Sequence, residues 1–237
     1  MRSVLITGST QGIGKALAIA FVKAGYQVCV HCSKDLEKAE RVRAEIGAYQ
    51  AVVCDLSNMD EVNGLYEKTG AVDCLILNAS VQYKELWQDI TDETFDEQFV
   101  VNVKSTLKLM QAYYPAMQEK KFGRIVTIGS VNQYRNHSEL SVYSATKCAV
   151  MKFVEIIAKQ VAPFGVTVNN VSPGAIATPR NESIYNDAEK RKAVEKTIPM
   201  GRFGTPEDCV GAVLMLCSEQ GNYITGTDII IDGGMRL

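Results

Sequence analysis

The chain has 237 residues, of which 46% are hydrophobic and 22% are charged, and its formal net charge is -2. These proportions are typical of an ordinary globular protein and argue against a disordered or fibrous chain. Because there is no excess of basic residues, nucleic acid and anionic membrane surfaces are not expected as partners.

The N-terminus and the cysteines indicate the compartment. The sequence begins with MRSVLITGST, an apolar strand pattern that leaves no room for a signal peptide, and no apolar run is long enough to span a bilayer. The seven cysteines are scattered through apolar patterns, as buried thiols in a reducing cytosol are. We therefore expect a cytoplasmic protein. Cys29 and Cys32 have the spacing of a metal-binding pair, but strand residues three positions apart point to opposite faces, so no metal site is expected.

Short β-branched runs alternate with longer helical patterns along the whole chain, which predicts βαβ units. Strands are predicted at 3–7, 27–31, 50–54, 74–77, 124–129, 166–171 and 228–232, and helices at about 12–24, 35–46, 58–69, 93–119, 143–161 and 206–218. The strands are nearly continuous apolar runs, as in a sheet covered by helices on both faces. The sequence therefore predicts a single-domain α/β Rossmann fold over residues 1–237, with a doubly wound parallel sheet of about seven strands.

Residues 175–204 interrupt this alternation with a charged, weakly amphipathic stretch between a strand and the next helix. An insertion after the C-terminal end of a strand lies where open α/β sheets bind ligands. We interpret this segment as a mobile lid over the substrate. The alternative is a solvated surface helix that carries Lys190, Arg191, Lys192 and Lys196.

The stretch TGSTQGIG at 7–14 directly follows the first predicted strand and opens a helix. Its glycines at 8, 12 and 14 permit a tight turn and a close approach of the backbone to a pyrophosphate, and the N–H groups of the helix start attract anionic oxygens. A position at the first βα junction is the context that a dinucleotide-binding motif requires. The alternative is a purely structural turn.

The end of the second strand discriminates between the two nicotinamide dinucleotides. NAD sites commonly place an acidic residue there to bind the ribose hydroxyls. This chain has Ser33 and Lys34 instead, and the nearest acid, Asp35, is expected to cap the following helix. Because a hydroxyl and an ammonium attract a 2′-phosphate that a carboxylate would repel, the sequence favours NADP(H) and leaves NAD(H) possible.

Tyr143 and Lys147 lie four positions apart within a predicted helix, so their side chains share one face. An ordinary tyrosine titrates near pH 10, but a neighbouring ammonium favours the phenolate and lowers that pKa. The pair therefore predicts an acid/base device.

With these residues the chain resembles the short-chain dehydrogenase/reductase family, and the resemblance covers essentially its whole length. The motifs that carry it follow one another in order: TGSTQGIG at the start, CDL at 54–56, LNAS at 77–80, VN at 101–102, TIGS at 127–130, YSATK at 143–147, SPGAIAT at 172–178 and ITGTDIIIDGG at 224–234. Their combined order and spacing make the resemblance specific.

The resemblance implies a catalytic tetrad of Asn102, Ser130, Tyr143 and Lys147. Ser130 would hydrogen-bond the reacting carbonyl, and Tyr143 would exchange a proton with its oxygen. Lys147 would lower the pKa of the tyrosine and hold the nicotinamide ribose. Asn102 would anchor a water that links the lysine to solvent; on its own residue type, it could also be an asparagine at a helix kink.

Together with the glycine-rich stretch and the strand end, the resemblance defines the expected cofactor site. Its residues are Gly8, Ser9, Gln11, Gly12, Ile13, Gly14, Ser33, Lys34, Asp55, Leu56, Asn78, Ala79, Ser80, Tyr143, Lys147, Pro173, Gly174, Ile176 and Thr178. The chain departs from the family at Ser80, where glycine is usual. The resemblance also implies a homotetramer or homodimer built through the long helices at about 93–119 and 143–161 and the C-terminal strand.

Polar side chains after Ser130 and Asn78 suit a small hydroxylated or acidic substrate better than a hydrocarbon ketone. The candidate substrate residues are Gln82, Asn132, Gln133 and Arg180. We therefore expect a dehydrogenase or reductase of a sugar, polyol or hydroxy acid.

Two alternatives stay open. Bacterial 3-oxoacyl-[acyl-carrier-protein] reductases have a similar length and similar end motifs, although they commonly carry arginine where this chain has Phe164. A dinucleotide-binding protein without catalytic activity is a non-enzyme alternative, and the complete tetrad argues against it.

Overall fold

The computed structural model describes all 237 residues and contains one seven-stranded sheet in which every strand pairing is parallel. The strands are β1 (Ser3–Ile6), β2 (Gln27–Cys32), β3 (Gln50–Val53), β4 (Cys74–Leu77), β5 (Gly123–Ile128), β6 (Val166–Pro173) and β7 (Asp228–Ile231). Their spatial order is β3-β2-β1-β4-β5-β6-β7. The chain thus runs from β1 to one edge and from β4 to the other, which confirms the doubly wound Rossmann fold.

Ten α-helices accompany the sheet. They are α1 (Gly12–Lys23), α2 (Leu36–Ile46), α3 (Met59–Asn63), α4 (Leu65–Thr69), α5 (Asp92–Phe99), α6 (Ser105–Lys120), α7 (Ser141–Val161), α8 (Glu182–Tyr185), α9 (Ala188–Glu195) and α10 (Val210–Cys217). The predicted helix at 58–69 is divided at Gly64 into α3 and α4. None of these helices combines the length and the apolarity that crossing a membrane requires.

The strands separate two hydrophobic cores, one on each face of the sheet. Alternate residues of β2 divide between them, because Cys29 belongs to one core and Val28 and Val30 belong to the other. The first core is closed by α3, α4, α6 and α7, and the second by α1, α2 and α10. Burial of apolar side chains on both faces explains why the strands read as nearly continuous apolar runs. It also raises the pKa of the Cys29 thiol to about 12.

The long helix predicted at 93–119 is interrupted by a π-helical turn, Val100–Lys104, between α5 and α6. Hydroxyls at the start of α6 compensate for the altered backbone pairing of the turn: Ser105 Oγ donates to the Val101 carbonyl at 2.6 Å, and Thr106 Oγ1 donates to the Asn102 carbonyl at 2.8 Å. Asn102 lies inside this turn and is buried. The asparagine therefore lies at a helix irregularity.

The segment 175–204 leaves the sheet and returns to it as a loop whose two ends are hydrogen-bonded to each other. The Gly204 N–H donates to the Ala175 carbonyl and the Ala177 N–H donates to the Gly204 carbonyl, each at 2.9 Å, so the two ends of the segment are joined. Between them lie a 3₁₀ turn (Pro179–Asn181), α8 and α9. The four basic residues named above are exposed, as a solvated helix face requires, whereas Ile184 and Val194 line a large cavity. The segment thus has both a solvated face and a cavity face.

His31, at the end of β2, fixes the loop between β1 and α1. Its Nδ1 accepts a hydrogen bond from the Gly8 N–H at 3.0 Å, so Nε2 carries the proton and donates to the Cys54 carbonyl at 3.0 Å. Its own N–H donates to Ser9 Oγ at 2.9 Å. Burial lowers the pKa of His31 to about 4. The imidazole therefore stays neutral in the folded protein at pH 7 and clamps the glycine-rich loop to the end of β3.

Replacing His31 with asparagine tests this clamp. At pH 7 we expect the free energy of unfolding to fall by about 1–3 kcal/mol, because buried polar groups lose partners. On acidification from pH 6.5 to 4, the free energy of unfolding of the wild-type protein should fall by about 3 kcal/mol, since His31 takes up a proton in the unfolded chain but not in the folded one. Urea unfolding at a series of pH values measures both effects. Parallel pH profiles of the two proteins would contradict the assignment.

Candidate active site

A cavity of about 750 Å³ opens at the carboxyl ends of the strands. Its walls come from the residues that follow β1, β2, β4, β5 and β6, from α7 and from the 175–204 segment. In a doubly wound sheet this edge, beside the point where the strand order reverses between β1 and β4, is where ligands bind. The cavity is large enough for a dinucleotide and a small second ligand.

The glycine-rich loop has the backbone geometry of a phosphate cradle. Gly8 and Gly12 have φ values of 65° and 54°, a region that side chains disfavour. Gly14 lies at the start of α1, where a Cβ would stand 2.3 Å from the Gly8 carbonyl oxygen and 2.7 Å from Asn78 Nδ2. The third glycine therefore lets the helix pack against its own loop, and the first two leave backbone facing the cavity.

Asn78 and Ala79, after β4, brace the same loop. The Asn78 amide donates to the carbonyls of Thr7 at 2.9 Å and Gly8 at 3.1 Å, and the backbone N–H groups of Asn78 and Ala79 donate to Thr7 Oγ1 at 2.9 and 3.0 Å. These contacts join the β1 and β4 loops across the switch point of the sheet. Both residues line the cavity, as predicted.

Tyr143 and Lys147 project from one face of α7 into the cavity, and both are 5% exposed. Lys147 Nζ lies 5.5 Å from the centroid of the Tyr143 ring and donates to the Ile128 carbonyl at the end of β5, at 2.8 Å. The helical spacing predicted this convergence, and the bond to β5 fixes the ammonium. Ser130 follows β5 and lines the same part of the cavity.

The charges around Tyr143 favour its phenolate. Burial raises the pKa of the phenol, but the positive charges of Lys147 and Arg180, with the hydroxyls of Ser130 and Ser80, outweigh it and hold the pKa below its ordinary value. Burial also lowers the pKa of Lys147 against the effect of Tyr143, which raises it. The pair can therefore exchange a proton nearer to neutrality than an isolated tyrosine can.

Asn102 does not line the cavity; it holds the loop after β4 from behind. Its Oδ1 accepts from the Val81 N–H and its Nδ2 donates to the Val81 carbonyl, both at 2.9 Å. Nδ2 also donates to Thr146 Oγ1 at 3.1 Å, and Thr146 lies between Tyr143 and Lys147. The side chain thus connects the cofactor side of the cleft to α7. The water relay that the family resemblance implies remains a prediction.

Gln133 lies behind Ser130 and outside the cavity walls, although the sequence suggested it as a substrate residue. Its Oε1 accepts from the Ser130 N–H at 2.9 Å and from Ser172 Oγ at 3.2 Å, because it is the third residue of a 3₁₀ turn that Ser130 caps. Ser130 Oγ in turn accepts from the Asn132 N–H at 3.1 Å. Gln133 therefore orients Ser130 and does not line the cavity.

The end of β2 differs from the sequence expectation in one residue. Ser33 lines the cavity, but Lys34 turns to Asp55, with which it forms an ion pair at 3.0 Å. Lys38, in the first turn of α2, lines the cavity instead and donates to Gln11 Oε1 at 2.8 Å. Asp35 caps α2 as predicted, with Oδ1 accepting from the Lys38 N–H at 2.8 Å. This cap positions Lys38 over the glycine-rich loop.

The cavity brings together most of the predicted site residues. Those that line it are Gly8, Gln11, Gly12, Ile13, Ser33, Asn78, Ala79, Ser80, Gln82, Ser130, Asn132, Tyr143, Lys147, Pro173, Gly174, Ile176, Thr178 and Arg180. Those that lie behind or beside its walls are Ser9, Gly14, Lys34, Asp55, Leu56, Asn102 and Gln133. Lys38 and Lys84, which no sequence motif indicates, also line the cavity, as does Arg135 of the polar loop after Ser130.

A phosphate cradle at the first βα junction, together with a buried tyrosine of lowered pKa beside a fixed lysine, defines a dinucleotide-dependent oxidoreductase. Comparisons with known proteins specify the class further. A family model described as enoyl-(acyl carrier protein) reductase matches residues 8–236. The 3-oxoacyl-[acyl-carrier-protein] reductase of Buchnera aphidicola is 35% identical over 241 residues, covering 100% of this chain and 98% of that protein. Dehydrogenase/reductase SDR family member 4 of Homo sapiens is 31% identical over 238 residues, covering 97% and 86%.

Solved structures agree with these relatives. A 3-oxoacyl (acyl-carrier-protein) reductase from Agrobacterium tumefaciens, with NADP bound, superposes with a TM-score of 0.92 at 35% identity and covers 98% of this chain and 93% of that one. A gluconate 5-dehydrogenase from Burkholderia cenocepacia, in complex with NADP and tartrate, gives 0.91 at 28% identity, with 99% and 94% covered. This chain therefore belongs to the short-chain dehydrogenase/reductase family.

Replacing Gly14 with alanine tests the loop packing. We expect the added Cβ to displace the Gly8 carbonyl and the Asn78 side chain from the start of α1. This displacement should lower the free energy of unfolding by about 1–3 kcal/mol and weaken dinucleotide binding. Gly211→Ala is the matched control, since that helical glycine in α10 has open space around it, and we expect a gain of about 0.4–1 kcal/mol there. Thermal unfolding and calorimetric NADPH titration measure both variants. Equal behaviour of the two would refute the packing role.

Proposed function

We propose that the protein uses NADP(H) to interconvert a carbonyl group and a secondary alcohol on a small polar substrate such as a sugar, a polyol or a hydroxy acid. The position of Tyr143 supports this proposal most directly, because its phenol, with a lowered pKa, faces a cavity whose remaining walls are rich in polar side chains. Gln82, Asn132 and Arg180 provide hydrogen-bonding groups on these walls.

The residues around Tyr143 fit a carbonyl oxygen. Bound NADPH supplies the hydride in the reductive direction. Tyr143 donates its phenolic proton to the oxygen that receives negative charge, and Lys147 stabilises the phenolate that is left. Ser130 Oγ accepts from the Asn132 N–H, so its own O–H remains free to donate to the same oxygen. In the oxidative direction the phenolate removes the proton from the alcohol.

The residues at the other end of the cavity fit the phosphates of the dinucleotide. The glycine-rich loop, kept free of Cβ atoms at Gly8 and Gly12, presents backbone to a pyrophosphate, and α1 starts beside it. No carboxylate lines the cavity at the end of β2; Ser33 and the ammonium of Lys38 lie there instead. These two groups would hold a 2′-phosphate, which favours NADP(H) over NAD(H).

Lys38→Ala tests the cofactor preference. We expect NADPH binding to weaken by about 10-fold or more and NADH binding to change little, because only NADPH carries the phosphate that the ammonium contacts. Lys34→Ala is the matched control, since its side chain is 78% exposed and paired with Asp55. Calorimetric titration of both dinucleotides measures the effect. Tighter binding of NADH than NADPH by the wild-type protein would overturn the preference.

Tyr143→Phe tests the acid/base assignment. Because the ring is kept and only the hydroxyl is lost, we expect kcat for carbonyl reduction to fall by about 10²–10⁴-fold while NADPH still binds. Ser144→Ala removes a hydroxyl from the adjacent residue of α7, one without a hydrogen-bond partner, and serves as the control. Loss of NADPH absorbance with a panel of sugars, keto acids and keto esters measures turnover. Undiminished turnover in the phenylalanine variant would exclude this mechanism.

A second candidate function is 3-oxoacyl-[acyl-carrier-protein] reduction. The whole-chain relatives from Buchnera aphidicola and Rickettsia prowazekii carry that name at 35% and 32% identity. Phe164, however, which stands where such enzymes commonly have arginine, is partly exposed and packs edge-on to Tyr114 at 6.5 Å. Turnover of a 3-oxoacyl thioester with much greater efficiency than any keto acid or sugar would favour this second function.

A homotetramer or homodimer remains part of the proposal. An apolar groove of about 290 Å³ runs along α5, the π-helical turn, α6 and α7, and it supports contact with a second copy through the long helices. Its walls are Asp96, Phe99, Val100, Val103, Lys104, Leu107 and Phe153.

A further inference from the structure

The charges that line the active-site cavity all have one sign. Lys38, Lys84, Arg135, Lys147 and Arg180 line it, and not one aspartate or glutamate does, although the chain as a whole has a net charge of -2. An uncompensated positive field in a concave site attracts and orients anions. The phosphates of a dinucleotide account for the positive charge of Lys38, and Lys147 serves Tyr143, so Lys84, Arg135 and Arg180 still lack an anionic partner.

Of these three cations, Arg180 is the one whose charge acts on Tyr143. Its guanidinium carbon is 6.0 Å from the centroid of the Tyr143 ring. The other two arginines of the 175–204 segment pair with carboxylates, Arg191 with Glu195 at 3.8 Å and Arg202 with Asp208 at 2.7 Å. Arg180 donates instead to Ser80, from Nη1 to Oγ at 3.0 Å and from Nη2 to the carbonyl oxygen at 2.6 Å. Its charge is thus oriented but not neutralised.

The geometry of this contact leaves Arg180 able to bind a second group. A guanidinium carries five N–H donors, and the bonds to Ser80 use one on each of two nitrogens. The remaining donors can bind a carboxylate with two parallel hydrogen bonds, the arrangement in which arginine binds most strongly. Ser80 is the residue at which this chain departs from the family's usual glycine, and a glycine would provide the carbonyl but not the hydroxyl.

We infer that Arg180 binds a carboxylate on the substrate, that Ser80 positions Arg180 for this role, and that the enzyme therefore acts on keto acids and hydroxy acids in preference to neutral ketones and polyols. The inference rests on the proposed function and narrows it. The substrate's carbonyl lies at Tyr143 and Ser130 while its carboxylate meets the guanidinium, so the substrate spans the space between α7 and the 175–204 segment. Such a two-point contact fixes the orientation of the carbonyl.

The test compares acetoacetate with ethyl acetoacetate, which differ in charge but share the reacting ketone. With saturating NADPH we expect wild-type kcat/KM to favour the acid. Arg180→Gln should lower kcat for both substrates, because the guanidinium also favours the Tyr143 phenolate, but it should lower the acid-to-ester ratio of kcat/KM by about 30-fold or more, mainly through KM for the acid. Arg191→Gln removes the same charge from the same segment outside the cavity, and both substrates should keep their values within about twofold. An equal loss for acid and ester in Arg180→Gln overturns the carboxylate site.

Ser80 is tested by the same ratio. Ser80→Gly should lower the acid-to-ester ratio of kcat/KM by about 10-fold, and Ser80→Thr, which keeps the hydroxyl, should restore the ratio. The ratio is the readout because any effect of Ser80 on Tyr143 or on the cofactor is shared by both substrates. A Ser80→Gly variant with an unaltered ratio, or a threonine variant as impaired as the glycine one, removes Ser80 from the inference.

Calorimetric binding of gluconate to the complex with NADP⁺ separates this inference from the proposed function. If gluconate binds to the wild-type complex and not to that of Arg180→Gln, while no carbonyl compound oxidises NADPH, the carboxylate site stands and the proposed reaction fails. If acid and ester are both reduced but the arginine variant loses neither the acid preference nor gluconate binding, the reaction stands and the carboxylate site fails.

Discussion

The site depends on the electrostatic coupling between a buried phenol and the cations held beside it. Burial alone would make Tyr143 a weaker acid, and the ammonium of Lys147, with the guanidinium of Arg180 and two hydroxyls, reverses that effect because the phenol is shielded from water. The coupling requires Lys147 to stay in place although burial lowers its own pKa, and the bond from Nζ to the Ile128 carbonyl holds it there. The end of β5 is thus part of the acid/base chemistry.

The rest of the fold fixes the position of these groups relative to the cofactor end of the cavity. The π-helical turn directs Asn102 toward Val81 and Thr146, so that one amide links the loop after β4 to the helix of the tyrosine. On the other side of the switch point, His31 ties the glycine-rich loop to the end of β3. Asn102 and His31 therefore hold neighbouring loops, strands and helices in fixed positions that hydrophobic packing, which is not directional, does not specify.

Much of this arrangement could be predicted because it depends on local patterns. The apolar runs defined the strands, the position of the glycines at the first βα junction defined the cradle, and helical spacing alone placed Tyr143 beside Lys147. The π-helical turn gave no signal beyond the presence of an asparagine in an otherwise regular helix.

Where the prediction differed from the structure, the direction of a side chain depended on a tertiary contact. Lys34 and Lys38 both follow β2, but the pairing of Lys34 with Asp55 and the cap at Asp35 turn only Lys38 toward Gln11. The Asp35 cap was foreseen, and a lysine three residues after it was the available signal for Lys38. The position of Gln133 after Ser130 predicts a place in the cavity, whereas the capped 3₁₀ turn directs its side chain to the Ser130 N–H and to Ser172.

Because its two ends are hydrogen-bonded to each other, the 175–204 segment can be replaced without disturbing the sheet. Backbone hydrogen bonds join Ala175 and Ala177 to Gly204, so both ends of the segment are held together beside the sheet. The chain between them can therefore change in length or composition without moving a strand. Lengthening such a loop costs little conformational entropy. Substrate specificity can thus change through one exchange of sequence in this segment, and the proton chemistry on α7 is preserved where a cation is kept at Arg180 beside Tyr143.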